Sequence, residues 1–296
     1  MNQYTAQPDD AKKRLDVFVV EHLPELSRAF VQKLIRRDTV LVNGAPTKHG
    51  HKLRDGDVIN VEYSSVSQEK IPKINLPVLY EDDDCLVINK PTGVLTHSKG
   101  AFNPEATVAT WLQSRIAGDW RLGTGDYQSE RTGIVHRLDR ATSGVIIAAK
   151  TNEALAWLQK QFSTRKVKKV YMAVVAGELN PSEAGIDMPI ERNPKKPQTF
   201  RAGGNGRVAI TLYKTIMSNG RYTLVRLLPQ TGRTHQLRVH MKQIGHPIVG
   251  DSLYGGEVAD RLYLHALSLE LTLPSRGRKV FTAPLPTSFK QFMDTA

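Results

Sequence analysis

The sequence predicts an α+β protein in two parts. A large domain rests on a mixed, mostly antiparallel sheet with flanking helices, and a small α+β module precedes it. Three observations lead there. Short strand-like runs dominate the chain from Leu76 onward. Two stretches with helical spacing interrupt them. A compact series of helix, turn and strand signals comes before a polar run at 64–75. At 296 residues the chain is long enough for two domains.

The small module is expected over 12–63. Leu15, Phe18 and Val19 mark one side of a short helix. After Pro24, Ser27 is placed as an N-cap, because its hydroxyl can accept from a free amide of the first turn. Phe30, Val31, Leu34 and Ile35 then recur at helical spacing, which leaves Arg28, Gln32, Lys33, Arg36 and Arg37 for the polar sides. Val40-Leu41-Val42 reads as a strand, and Asn43-Gly44 suits a tight turn with positive φ. Asp55-Gly56-Asp57 marks a second turn, leading into Val58–Glu62. The run SSVSQEKIPKIN, 64–75, is polar without periodicity and reads as a linker to a domain spanning 76–292.

In that domain LVINK (86–90), GVIIAAK (144–150), VYMAVVAG (170–177), YTLVRLLP (222–229) and LSLELTLP (267–274) read as strands. In the last, Leu267, Leu269, Leu271 and Leu273 alternate with polar residues at the period of a half-buried strand. Thr107–Ile116 and Asn152–Phe162 read as helices. The glycine-containing stretches 117–126 and 203–206 read as surface loops. THQLRVH, taken as a strand, would place His235 and His240 on opposite faces.

The composition, 40% hydrophobic and 24% charged, is that of a globular protein. The opening MNQYTAQPDDAKKR lacks the apolar core of a signal peptide, and no apolar run approaches the ~18 residues of a membrane span. A cytoplasmic protein is the expectation. Cys85 is the only cysteine, which excludes intramolecular disulfides and cysteine-rich zinc sites. The formal charge of +12 is unevenly spread: residues 1–70 hold 11 Lys and Arg against 10 Asp and Glu, so nearly all the excess lies beyond them. Clusters at Arg165, Lys166, Lys168 and Lys169, and at Arg192, Lys195, Lys196 and Arg201, direct that charge towards phosphate backbones.

The stretch GIVHRLDRATSGVIIAAK, 133–150, interrupts two apolar segments with a polar patch. Arg137 and Arg140 beside Asp139 would favour its ionised form, that of an acceptor or nucleophile. On residue chemistry alone this is an ion-paired turn or a site. No second carboxylate for glycoside hydrolysis is indicated, and no metal-ligand spacing, P-loop, dinucleotide fingerprint or GxSxG occurs.

SRxxxQKLI followed by VLVNG and DGDVINVEY resembles the small RNA-binding domain named after a small-subunit ribosomal protein. HRLDRATSGVIIAAK closely resembles the catalytic motif of the RluA-type pseudouridine synthases. Further segments match in the family's order: EDDDCLVINKPTGVLTH (81–97), KVYMAVVAG (169–177), TGRTHQLRVHMKQIGHPIVGDSLYGG (231–256), LHALSLELTLP (264–274) and FTAPLP (281–286). The resemblance covers most of the chain and looks closest to the branch acting on large-subunit ribosomal RNA.

The resemblance implies isomerisation of an RNA uridine. The carbon–nitrogen glycosidic bond breaks, and the uracil rotates and rejoins the ribose through carbon 5, with no cofactor and no metal. It implies Asp139 as the essential carboxylate, Tyr171 as the active-site tyrosine stacking on an extruded base, and Arg238 as the partner of the carboxylate. Arg137, Arg140, Arg233, Arg165, Lys168 and Lys169, with Arg28, Lys33, Arg36 and Arg37 in the small module, are the candidate RNA contacts. His136 is expected to buttress the loop, and Thr142, Ser143 and Gly144 to shape the turn into the next strand. The expected partner is RNA, bound by a monomer. The alternatives are a transfer-RNA pseudouridine synthase, a non-catalytic RNA-binding ribosome-assembly factor and a metal-dependent RNA hydrolase.

Overall fold

The computed structural model describes residues 2–24, 26, 28–63, 71–97, 105–115, 133–274 and 277–295. They form two compact units, one drawn from the described residues of 1–73 and 98–106 and the other from those of 74–97 and 107–296. Ser27, the expected loop 117–126 and most of the expected linker lie outside the described residues.

The first unit runs β1 (Asn2–Thr5), a 3₁₀ turn (Pro8–Asp10), α1 (Leu15–His22), α2 (Arg28–Arg36), β2 (Val40–Val42), β3 (Ala45–Pro46) and β4 (Val58–Val61). Its sheet has the order β1-β4-β2-β3, antiparallel throughout. β1 lies ahead of residue 12, where the module was expected to begin, and zips along the whole of β4. Asn43 at φ 51° and Gly44 at φ 77° make the β2–β3 turn, as that dipeptide predicts. Phe18, Val19, Val31, Ile35, Val40, Ile59 and Val61 share one core.

The polar side of α2 is only partly free. Asp16 of α1 is fully buried and accepts from Arg14 Nε at 2.9 Å, Arg28 Nε at 3.0 Å and Gln32 Nε2 at 2.6 Å. Arg28 and Gln32 therefore tie α2 to α1, whereas Lys33, Arg36 and Arg37 stay exposed. Burial alone would raise the Asp16 carboxyl, but these three donors outweigh it and hold it below the usual carboxylate range.

The second unit carries β5 (Val78–Glu81), β6 (Cys85–Lys90), α3 (Val108–Arg115), β7 (Ser143–Ala149), α4 (Asn152–Ser163), β8 (Lys168–Ala176), β9 (Glu183–Asp187), β10 (Ile190–Arg192), β11 (Phe200–Ala202), β12 (Ile210–Ser218), β13 (Tyr222–Pro229), α5 (Gln236–Gln243), β14 (Leu264–Leu273), β15 (Gly277–Thr282) and α6 (Thr287–Thr295). Its main sheet has the order β5-β6-β7-β14-β8-β13-β12-β9, with β15 also on β14 and only β7–β14 parallel. A separate hairpin, β10–β11, stands outside it. The five runs read as strands lie in β6, β7, β8, β13 and β14, and 203–206 forms the turn after β11.

Two local features differ from simple periodicity. A register shift between Ala266 and Ser268 takes Leu267 out of the row that buries Leu269, Leu271 and Leu273, and it packs instead against a cluster containing Tyr222 and Phe289. THQLRVH is not a strand. Gln236–Gln243 is helical, with His235 preceding it in the left-handed region at φ 57°.

Gly144, at φ 120°, begins the exit from the polar patch. A Cβ there would lie 2.2 Å from the Ala266 carbonyl oxygen, so β7 approaches β14 this closely only with glycine.

Because Asp16 is held in its charged form, its contribution to stability is present above the ordinary carboxylate pKa and is lost as pH falls below about 4. Hydrogen exchange in α1 and α2, corrected for intrinsic rates, should begin to lose protection as pH falls below about 4 and keep losing it well below about pH 3. Asp16→Asn should flatten that dependence.

Candidate active site

The segment 137–142 is irregular backbone feeding β7, and residues 90–96 hold it from behind. Thr96 Oγ1 donates to the Leu138 carbonyl at 2.8 Å and accepts the Leu138 N–H at 3.1 Å. Thr92 Oγ1 donates to the Ala141 carbonyl, and the Gly93 N–H to the Arg140 carbonyl. Lys90, at 0% exposure, donates to the carbonyls of Pro91 at 2.9 Å, Val94 at 2.8 Å and Arg140 at 3.2 Å. Burial pushes its pKa down to about 7, against the opposing pull of Asp139. Asp139 therefore sits on a backbone knotted at both sides.

His136 does buttress the loop. Its Nε2 accepts the Ile147 N–H of β7 at 3.1 Å, and its ring stacks on Phe162 with centroids 4.5 Å apart. Burial drives its pKa down to about 3, so the ring is neutral and fit to accept.

A cavity of about 140 Å³ opens over this loop. Arg137, Asp139, Lys169, Tyr171, Arg233, His235 and Arg238 are among its lining residues. β8 supplies Tyr171, in register with Ala266 of β14 and Leu227 of β13. Burial, with Asp139 adding to it, pushes the Tyr171 hydroxyl pKa well up, so it stays protonated.

Arg238 comes from α5 and is buried. Its Nε and Nη2 each donate at 2.7 Å to the two oxygens of Asp251, a bidentate fork. Its Nη1 remains, 3.6 Å from Asp139 Oδ2. His235 Nε2 lies 3.8 Å from the same oxygen. Arg238 and His235 are the basic side chains within ion-pair range of Asp139 among the described residues, and Arg137 and Arg140, its neighbours in sequence, are not within that range. Gln236 secures the start of α5: its Oε1 accepts from Thr231 Oγ1 and the Arg233 N–H, and its Nε2 donates to Ile210 and Thr211. His240 is buried between Thr211 and the Met188 carbonyl.

The RNA-contact candidates are distributed around this geometry. A second cavity of about 380 Å³ shares Arg137, Lys169, Tyr171 and Arg233 with the first and adds Arg165. Arg233 Nε donates to the Val208 carbonyl. Arg140 is exposed beside the loop, and Lys168 is exposed with Glu270 at 3.6 Å. Arg28, Lys33, Arg36 and Arg37 belong to the other unit.

Residues 84–243 match the RNA pseudouridylate synthase family and residues 13–59 the S4 domain. The chain is 36% identical over 306 residues to the ribosomal large subunit pseudouridine synthase D of Xanthomonas campestris, covering 97% of this chain and 90% of that one. The chain belongs to the RNA pseudouridine synthase family. This pseudouridine synthase is also 34% identical to the uncharacterized RNA pseudouridine synthase YlyB of Bacillus subtilis, over 99% of its own length and 98% of the relative's. Among solved structures, the human RNA pseudouridylate synthase domain containing 4 aligns with a TM-score of 0.57 at 27% identity, over 72% of this chain and 90% of that one. The enzyme is thus an isomerase acting on RNA, with an S4 domain ahead of its synthase domain.

Asp251, His235, Tyr254, Gln236 and Lys90 of this pseudouridine synthase had not been singled out as site residues. Each lies in a segment that carries the family resemblance, but its partner is fixed only by the fold. Asp251→Ala should leave the Arg238 guanidinium buried without its fork and cost about 3–5 kcal/mol. Denaturant unfolding of the variant, against wild type at neutral pH, measures this loss.

Proposed function

We propose that this enzyme converts uridines of large-subunit ribosomal RNA to pseudouridine, with Asp139 as the catalytic carboxylate. The observation that carries this reading is convergence: Asp139, Tyr171 and Arg238 arise from a loop, a strand and a helix far apart in sequence and line one cavity. The relatives named ribosomal large subunit pseudouridine synthase D support the choice of RNA. The exposed Lys33, Arg36 and Arg37 of the S4 domain, with Arg137, Arg165, Lys169 and Arg233 around the cavity, supply the phosphate contacts. Such an enzyme works as a monomer in the cytoplasm.

The reaction breaks the bond from ribose C1′ to uracil N1 and makes one from C1′ to C5. The C5 proton leaves and N1 gains one, so nothing is oxidised or reduced. A carboxylate starts this by attacking the ribose, adding to the base or removing a ribose proton, and each route begins from the ionised group. Arg238 Nη1 stands where it meets that charge. The uridine reaches the cavity by leaving its stack, at a cost of a few kcal/mol. The ring of Tyr171 then offers a surface for the base. Its hydroxyl, kept protonated, serves as a donor and is poorly suited to act as a base.

Asp139→Asn should abolish tritium release from RNA labelled at uridine C5 while RNA binding, measured by filter retention, survives. Release at the wild-type rate would overturn the assignment. Tyr171→Phe, which keeps the ring, should retain turnover that Tyr171→Leu loses. Pseudouridine mapping in cells lacking the protein should show at least one missing site in large-subunit RNA. A loss confined to transfer RNA would move the substrate instead.

A further inference from the structure

His235 is held from two sides. Its backbone occupies the left-handed region, uncommon for residues other than glycine, immediately before α5. Its Nδ1 lies 2.7 Å from the hydroxyl of the buried Tyr254. That hydroxyl also accepts the backbone N–H of Phe200, from β11, at 2.9 Å. A hydroxyl has a single proton to give, and Nδ1 is the one acceptor in reach of it among the described residues. The bond therefore runs from Tyr254 to Nδ1, and a neutral ring must carry its own proton at Nε2.

The neutral form is the favoured one. Burial lowers the His235 pKa, and Arg238 and Arg137 lower it further, against Asp139 and Asp251, which raise it. The Nε2–H then faces Asp139 Oδ2 at 3.8 Å, the same oxygen that Arg238 Nη1 addresses at 3.6 Å. Two donors on one oxygen define the rotation of a carboxylate in a way that one donor cannot. Catalytic contacts that are long without substrate commonly shorten when it binds.

We propose that His235 is a positioning residue of the reaction: fixed as its Nε2–H tautomer by Tyr254, it joins Arg238 on Oδ2 of Asp139 and turns Oδ1 towards the uridine. This rests on Asp139 being the catalytic carboxylate. His235 does not exchange a proton with substrate in this role. It sets the direction from which the carboxylate acts, and the Phe200–Tyr254 contact fixes the ring that does so.

The test uses the full-length enzyme. Imidazole ¹⁵N spectra of the wild type, with the His235 signals identified by their absence from His235→Asn, should show a neutral ring protonated at Nε2. A protonated ring or the Nδ1–H tautomer overturns the proposal. Asparagine suits the left-handed backbone but ends short of Asp139. His235→Asn should therefore fold, keep KM for RNA near wild type and lower kcat by about ten- to a hundredfold. His235→Gln, whose longer amide reaches the Nε2 position, should recover part of the loss. Tyr254→Phe should populate the other tautomer and lower kcat with KM unchanged. Wild-type kcat in His235→Asn overturns the proposal. Asp139→Asn is assayed alongside: turnover in that variant refutes the assignment of Asp139 itself, whereas an inactive Asp139→Asn with a fully active His235→Asn refutes only the role of His235.

Discussion

The site depends on one guanidinium that serves two carboxylates. Taking Arg238 out of water is costly unless its donors are matched. Asp251 meets Nε and Nη2 with both of its oxygens, and it also accepts the backbone N–H groups of Leu253 and Tyr254. The fork thus fixes the plane of the guanidinium by hydrogen bonds that need no substrate. Only Nη1 is left over, and it faces Asp139. A lysine at this position would carry the same charge but could not divide it in fixed directions between the two groups.

The other half of the geometry is the backbone under Asp139. Thr92, Gly93 and Thr96 hold the loop through hydrogen bonds to Leu138, Arg140 and Ala141. Lys90 adds three carbonyls to one buried ammonium. Gly144 then lets the chain leave the loop against the backbone of β14, where any side chain would collide. Loop and helix are therefore positioned independently, one by β6 and the turn after it, the other by Asp251 and Gln236. Their meeting at Asp139 Oδ2 is a property of the sheet that carries both.

Much of this was legible in the sequence, for reasons that are local. Strand β7 is apolar from Val145 to Ala149 because both of its faces are covered, and α2 declares itself through Phe30, Val31, Leu34 and Ile35. Asn43-Gly44 specified its turn through backbone conformation. The resemblance brought out the family and, in Asp139, Tyr171 and Arg238, three of the residues that line the cavity. What local chemistry could not supply was pairing. Asp139 has Arg137 and Arg140 close by in sequence, yet the basic side chains within ion-pair range of it among the described residues are Arg238 and His235, because loop side chains close in sequence need not converge. Gln32 and Arg28 read as free polar residues, and both turn to a buried aspartate on the neighbouring helix. THQLRVH, taken as a strand, would set His235 and His240 on opposite faces. The helix wins through Gln236, whose hydrogen bonds to Ile210, Thr211, Thr231 and Arg233 start it.

The central claim is that Arg238 acts on Asp139 through directed donors rather than through charge alone. Single-turnover kinetics of Arg238→Lys on saturating RNA tests it most directly, with circular dichroism confirming the fold. The rate of pseudouridine formation should fall by about a hundredfold or more while RNA affinity stays close to wild type. A folded Arg238→Lys enzyme that isomerises uridine at the wild-type rate would contradict the account.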